Sequence, residues 1–96
     1  MTKALDGIRV IDMTHNQAGP ACAQILAWLG ADVIKLETPG KGDVARVQNN
    51  DELFLLSFNA NKRSLTLDLK SDKGKALFRK LLAKSDVFLE NFAPGA

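Results

Sequence analysis

Residues 7–37, GIRVIDMTHNQAGPACAQILAWLGADVIKLE, contain a strand, a helix and a second strand in succession. The apolar, β-branched run at 7–13 predicts a strand buried in a parallel sheet, and residues 31–37 show the same character. Between them, Pro20 suits a first helical turn and Gly30 suits the left-handed residue that ends a helix. Strand, helix and strand within about 30 residues predict a βαβ unit whose two strands run parallel.

The rest of the chain continues this alternation. Residues 64–70 alternate polar with apolar side chains, which predicts a strand at a sheet edge, and residues 86–91 predict another strand. Ser71 is a helix cap with Asp72 in the first turn, and that helix has an apolar stripe of Leu77, Phe78, Leu81 and Leu82. Residues 53–58 fit a helix or an extended segment, and residues 49–51 indicate a turn.

This element order predicts an α/β fold, a Rossmann-like parallel sheet of about four strands with crossover helices. The chain ends directly after the last predicted strand, without a helix to cover it, so we expect an incomplete domain.

Composition excludes several classes of protein. The chain has 96 residues, 46% hydrophobic and 25% charged, which is typical of a globular domain and not of disordered or collagen-like chains. The net charge of +2, with scattered basic residues, does not favour nucleic acid as a partner. No apolar run is long enough for a membrane span and no signal peptide is evident, so we expect no membrane partner and a cytoplasmic location. One cysteine and one histidine cannot form a zinc site, and no metal is expected.

Ligands of open α/β sheets bind beyond the carboxyl ends of the strands. Four loops occupy that position, at residues 15–18, 38–43, 69–72 and 91–93. The first leads into a helix N-terminus, where free N–H groups attract anions, and this favours a phosphorylated ligand. Glu37 lies where a ribose-binding acid would lie, but residues 14–20 hold one glycine where the dinucleotide fingerprint needs three, so NAD is disfavoured.

Each candidate side chain also has a simpler interpretation. His15 could be a general acid or base, or a loop histidine with one hydrogen bond. Gln17 could orient a carboxylate or carbonyl, or could cap the helix. Lys70 could contact phosphate or remain solvated. The pair Lys62-Arg63 could also meet phosphate, but such a short basic pair is more often a solvated loop.

The first helix has an apolar side that predicts its buried face. That side comprises Ala21, Cys22, Ile25, Leu26 and Leu29. Cys22 is therefore expected in the core instead of acting as a nucleophile, and Trp28 is expected to cover the contact between helix and sheet.

Short characteristic blocks lie at residues 5–12, 18–20, 29–37, 39–40, 42–43, 61–65, 68–70, 90–92 and 94–95. Taken together and in this order, they resemble the start of family III CoA-transferases of the CaiB/BaiF type. Residues 14–24, THNQAGPACAQ, are most similar to the formyl-CoA:oxalate CoA-transferase branch, since the racemase branch usually lacks this His and Gln.

The resemblance implies that residues 1–96 are the N-terminal, CoA-binding part of a longer enzyme. It implies a CoA thioester as substrate, a carboxylic acid such as oxalate as acceptor, no permanently bound cofactor, and an interlocked homodimer of the full-length protein. The nucleophilic aspartate of the family lies downstream, so this chain alone is expected to be inactive. The implied acyl-site residues are His15 and Gln17, and the implied CoA contacts are Gln17, Ala18, Leu67, Asp68, Leu69, Lys70, Asn91, Phe92 and Ala93.

Two departures from the family pattern bear on the substrate. Thr38 stands where relatives often carry an arginine that meets CoA phosphate, and the segment between Asp43 and Leu53 is shorter than in formyl-CoA transferases. Two alternatives therefore stay open: a freestanding nucleotide- or CoA-binding module without catalysis, and a fragment of an α-methylacyl-CoA racemase.

Overall fold

A computed structural model describes residues 2–48 and 52–95. Within these residues, four parallel strands pair in the order β3-β2-β1-β4. The elements are β1 (Arg9–Asp12), α1 (Ala18–Trp28), β2 (Asp32–Glu37), α2 (Ala45–Gln48), α3 (Glu52–Asn59), β3 (Arg63–Thr66), α4 (Asp72–Ala83) and β4 (Val87–Leu89). The predicted α/β fold with a four-stranded parallel sheet is confirmed.

The strands are shorter than the sequence pattern indicated, but each lies where it was predicted. The run at 53–58 falls in α3, so its helical interpretation is correct, whereas the short helix α2 was not predicted. The predicted turn at 49–51 lies outside the described residues. No helix in the described part of the chain is long and apolar enough to cross a membrane.

Helices cover both faces of the sheet because successive side chains of a strand point to opposite faces. On one face, Val10 and Val33 pack against Ala23 and Ala27 of α1. On the other face, the core cluster comprises Ile11, Ile34 and Leu36 with Phe78, Leu81 and Leu82 of α4. Leu77 belongs to the predicted stripe of α4 but is 54% exposed.

Helix α1 is rotated relative to the prediction. It buries Pro20, Ala23, Gln24 and Ala27, while Cys22 is exposed. The large side chains Ile25, Trp28 and Leu29 are 52%, 57% and 46% exposed, so the predicted core roles of Cys22 and Trp28 are wrong. The small alanines allow α1 to lie close to the strands. Buried Gln24 is satisfied by α3 and the residue that follows it, because its Nε2 donates to Ser57 O at 2.8 Å and its Oε1 accepts from Ala60 N at 2.7 Å.

The predicted ends of the helices are confirmed. Gly30 has φ +108° and ends α1 as the left-handed residue of a Schellman motif, with Gly30 N–H donating to Ala27 O and Ala31 N–H to Leu26 O. Ser71 caps α4 by accepting a hydrogen bond from Gly74 N–H at 2.9 Å.

Replacing Gly74 with alanine is expected to destabilise the fold by about 1–3 kcal/mol, the usual cost of overpacking a buried site. A Cβ at this position would lie 1.7 Å from the carbonyl oxygen of Asp68, so either α4 or the loop after β3 must move. Urea denaturation followed by circular dichroism measures the change. Lys73→Ala, at an exposed position of the same helix, is the matched control, and equal stability of the two variants would show that no such contact exists.

Candidate functional site

The loops that follow β1 and β4 meet at the point where the sheet order reverses. Strand β1 pairs with β2 on one side and with β4 on the other, so a crevice opens beyond its carboxyl end. There His15 N–H donates to Asn91 Oδ1 at 3.0 Å, and Asn91 Nδ2 donates to His15 O at 3.0 Å. The ring centroids of His15 and Phe92 lie 5.2 Å apart. The side chain of Asn91, in the loop after β4, thereby fixes the backbone of His15.

A small cleft opens beside this junction, and residues from all four predicted loops line it. Its walls are Met13, His15, Leu36, Glu37, Thr38, Leu67, Leu69 and Phe92. Of the residues singled out from the sequence, the structure therefore brings together His15, Leu67, Leu69 and Phe92, with Asn91 behind them. The walls are mostly apolar with a few polar groups, which is typical of a site for an organic ligand.

The other predicted site residues lie around this cleft and not in its walls. Gln17 and Ala18 lie at the exposed start of α1, where Gln17 occupies the N-cap position but makes no side-chain capping hydrogen bond. Asp68 forms a local turn by accepting from Lys70 N–H at 3.0 Å, and Lys70 is exposed. Ala93 lines a neighbouring, more open cleft that it shares with Phe92.

A buried ion pair lies behind the loop of His15. Lys35 Nζ donates to Asp43 Oδ2 at 2.7 Å, and the two side chains are 3% and 0% exposed. Asp43 Oδ1 also accepts from the N–H groups of Asn16 and Ala45, at 3.1 and 2.9 Å. Burial alone would raise the pKa of Asp43, but these donors outweigh burial and the pKa is lowered. Asp43 is therefore a fixed negative charge that ties the loop after β1 to strand β2.

A second buried pair joins β1 to the segment before β3. Lys62 Nζ donates to Asp12 Oδ2 at 2.8 Å, to Pro20 O at 2.9 Å and to Asn59 Oδ1 at 2.8 Å. Its side chain is 2% exposed, so the prediction of a solvated loop at Lys62 is wrong. Burial lowers the pKa of Lys62, although the Asp12 carboxylate opposes that shift. With three acceptors for its three N–H donors, Lys62 is a structural clamp and has no donor left for phosphate.

Arg63 lies in β3 and not in a loop. Its guanidinium donates to Asp32 at the amino end of β2, at 2.7 to 3.1 Å, in an exposed pair. This end of the sheet is opposite to the crevice, so Arg63 is not near the cleft.

The carboxylate of Glu37, at the end of β2, accepts several hydrogen bonds from other groups of the protein. Arg46 donates to both of its carboxylate oxygens, at 2.6 and 2.7 Å, and further bonds come from Asp43 N–H at 2.8 Å and Ser64 Oγ at 3.0 Å. Burial opposes ionisation, but these four donors prevail and lower the pKa of Glu37 from 4.5 to about 2. Because its acceptor sites are filled, Glu37 has little capacity left to bind a ribose.

The pKa of Glu37 predicts a pH-dependent contribution to stability. A carboxylate with a lowered folded-state pKa stabilises the fold above the unfolded value of 4.5, and this stabilisation is lost as the pH falls toward about 2. We expect Glu37→Gln to cost about 1–3 kcal/mol at neutral pH, since charged hydrogen bonds are lost, and little near pH 2. Denaturation of wild type and variant across this range checks it. The exposed Glu90→Gln is the control, and a pH-independent difference for Glu37→Gln would contradict the assignment.

Sequence reasoning missed the buried charges Asp12, Lys35 and Asp43. A signal was present, because Lys35 lies between the apolar residues Ile34 and Leu36 in a strand buried on both faces. A charge at such a position needs a buried partner. In the described residues no group of three or more His, Cys, Asp or Glu side chains could hold a metal ion.

The model of a protein family described as CoA-transferase family III matches residues 5–96. Formyl-CoA:oxalate CoA-transferases from Bradyrhizobium sp. (strain ORS 278) and Rhodopseudomonas palustris (strain BisA53) are each 55% identical over 100 residues. These alignments cover 99% of this chain and 24% of each relative, so the chain spans about a quarter of the length of the curated relatives it matches.

Solved structures show the same relationship. A hypothetical protein from Mycobacterium tuberculosis superposes with a TM-score of 0.91 and 45% identity, covering 98% of this chain and 27% of that one. A CAIB/BAIF family protein from Brucella suis superposes with a TM-score of 0.87 and 38% identity, covering 96% and 26%. A β-ketoacyl-ACP reductase-like structure, at 19% identity and a TM-score of 0.56, shares the fold alone.

Proposed function

This chain belongs to CoA-transferase family III, and from that premise we propose that it holds the CoA thioester of a CoA-transferase. The thioester lies in the crevice beyond β1 and β4, with His15 and Gln17 beside the acyl group. The CoA contacts are Gln17 and Ala18, then Leu67, Asp68, Leu69 and Lys70, and finally Asn91, Phe92 and Ala93.

The observation that carries this proposal is the junction of His15, Asn91 and Phe92 at the switch point of the sheet. It unites two loops that are 76 residues apart in the sequence, at the place where open α/β sheets bind ligands. The adjoining cleft has apolar walls from Leu67 and Leu69, which suit the pantetheine arm of CoA, and Lys70 is exposed at the end of that loop for a phosphate.

For the complete protein, we propose transfer of CoA from a formyl-CoA-like thioester to an oxalate-like acid. An aspartate carboxylate attacks the thioester carbonyl carbon, the C–S bond breaks, and CoA leaves as its thiolate while a mixed anhydride forms. The thiolate then attacks the aspartyl carbonyl of the anhydride, which releases the donor's acid (formate) and gives an aspartyl-CoA thioester. The acceptor carboxylate attacks this thioester and expels the thiolate, giving a second anhydride, and attack of the thiolate on the acceptor's carbonyl forms the new CoA thioester and frees the aspartate. The 55% identity to formyl-CoA:oxalate CoA-transferases supports this choice of donor and acceptor.

We further propose that the nucleophilic aspartate comes from outside residues 1–96. Three buried acidic residues near the cleft are already engaged: Asp12 with Lys62, Asp43 with Lys35, and Glu37 with Arg46. A carboxylate held by such donors is a weak nucleophile. The complete protein acts as a homodimer in this proposal. The exposed apolar side chains Ile25 and Trp28 of α1, and Leu29 directly after it, support this.

A chimera tests the proposed function. This chain replaces the matching first quarter of the Bradyrhizobium formyl-CoA:oxalate CoA-transferase, and oxalate-dependent use of formyl-CoA is measured. We expect turnover by the chimera, together with CoA binding but no turnover by the 96-residue chain alone. A folded chimera that does not bind CoA, or turnover by the chain alone, would contradict the proposal.

In that chimera, Gln17→Ala separates the transferase from the racemase alternative. If Gln17 positions the acceptor carboxylate, its loss should lower kcat/KM for transfer by about 10- to 100-fold, which corresponds to about 1.4–2.8 kcal/mol. The exposed Lys73→Ala serves as control. Unchanged transfer to a small carboxylate in Gln17→Ala would favour the racemase alternative.

A further inference from the structure

His15 has one buried ring nitrogen that no group in the described residues satisfies. Nδ1 is buried and has no hydrogen-bond partner among the described residues, whereas the side chain as a whole is 29% exposed. The exposed part of the imidazole is therefore on the side away from Nδ1. The carboxylate oxygen Asp43 Oδ1 lies 4.0 Å from Nδ1, within reach of a small shift of the ring or a bridging water.

Asp43 cannot turn away from this nitrogen. Its carboxylate is held by Lys35 from β2 and by the N–H groups of Ala45 and Asn16. Asn16 follows His15 directly and has a left-handed backbone with φ +72°, so the bond from its N–H fixes the path of the chain at the histidine. The ring itself is limited by Phe92, while Asn91 holds the backbone of His15.

A fixed negative charge facing one ring nitrogen selects the tautomer of a histidine. We propose that Asp43 is a positioning residue that keeps the proton of neutral His15 on Nδ1. Nε2 is then an unprotonated acceptor directed away from the buried side, toward the cleft that His15 lines. There Nε2 accepts a hydrogen bond, or a proton, from a group of the bound substrate. Lys35 supports this role by keeping Asp43 ionised.

A role of Nε2 toward an acyl group rests on the proposed function. The Nδ1–H tautomer of His15 does not depend on that function. His15 is the only histidine of the chain, so 15N-histidine labelling gives a single imidazole spectrum. Two-bond 1H–15N correlations, recorded without CoA at a pH where the ring is neutral, identify the protonated nitrogen. We expect Nδ1–H in the wild-type chain. A spectrum dominated by Nε2–H would overturn the proposal, whether or not the protein binds CoA.

Asp43→Asn tests the cause of that preference. We expect the ratio of Nδ1–H to Nε2–H to fall by about tenfold, the order of one net hydrogen bond formed directly after a small shift of the ring or through a bridging water. Asp32→Asn, at a carboxylate on the opposite end of the sheet, should leave the ratio unchanged. Because Asp43→Asn leaves Lys35 unpaired, the double variant Lys35→Met/Asp43→Asn is measured as well. A wild-type ratio in either folded Asp43 variant would show that Asp43 does not position His15.

Discussion

Replacing Lys62 with methionine is expected to remove about 3–5 kcal/mol from the free energy of unfolding, the usual cost of leaving a buried charge without its partner. Asp12 is fully buried, and its Oδ2 accepts from Lys62 Nζ at 2.8 Å. Methionine keeps the aliphatic stem but leaves this carboxylate uncompensated and Pro20 O without its donor. Urea denaturation followed by circular dichroism measures the loss, which is a large part of the stability of a small domain.

Two further variants identify the cause of that loss. Lys73→Met makes the same chemical change at an exposed position and should be nearly neutral. The double variant Lys62→Met/Asp12→Asn removes both charges together, and we expect it to be more stable than Lys62→Met alone. A loss below about 1 kcal/mol in Lys62→Met, the range of an exposed ion pair, would contradict the description of Lys62 as a buried clamp.

Replacing Asn91 with alanine is expected to lower kcat/KM of the chimera by about 10- to 100-fold while changing stability little. The side chain of Asn91 makes two hydrogen bonds to the backbone of His15, and both groups lie in exposed loops. Their loss leaves the loop after β1 free to move, and misplacement of a binding group by about 1 Å can cost a factor of 100.

Asn91→Asp separates the contributions of the two hydrogen bonds that Asn91 makes. Aspartate can still accept from His15 N–H but cannot donate to His15 O, so an intermediate effect is expected. Glu90→Gln, next to Asn91, controls for general disturbance of the loop. Wild-type kinetics in Asn91→Ala would show that the junction of the two loops is not part of the site.

The features that could be predicted from the sequence are local ones. The strands β1 and β2, the left-handed Gly30 and the Ser71 cap each depend on residues close together in the chain, where backbone preferences decide the outcome. The meeting of loops 15–18 and 91–93 was also predictable, because parallel strands place their carboxyl ends at one edge of the sheet.

The features that could not be predicted depend on distant partners. Lys62 and Asp12 are 50 residues apart, and nothing local distinguishes Lys62 from a solvated lysine. The rotation of α1 depends on α3 and the residue after it, which supply Ser57 O and Ala60 N to the buried amide of Gln24. The apolar pattern of α1 instead pointed to a face that is exposed in the structure, because a hydrophobic stripe alone does not show which part of a helix the sheet covers.

The most direct test of the proposed site is a map of CoA on the chain. Backbone amide shifts of the 15N-labelled protein are followed as CoA is added. The proposed site predicts that the largest changes fall on residues 15–18, 67–70 and 91–93, with His15, Leu69 and Phe92 among them. Changes confined to the opposite end of the sheet, around Arg9, Asp32 and Arg63, or no changes at CoA concentrations that saturate the chimera, would contradict it.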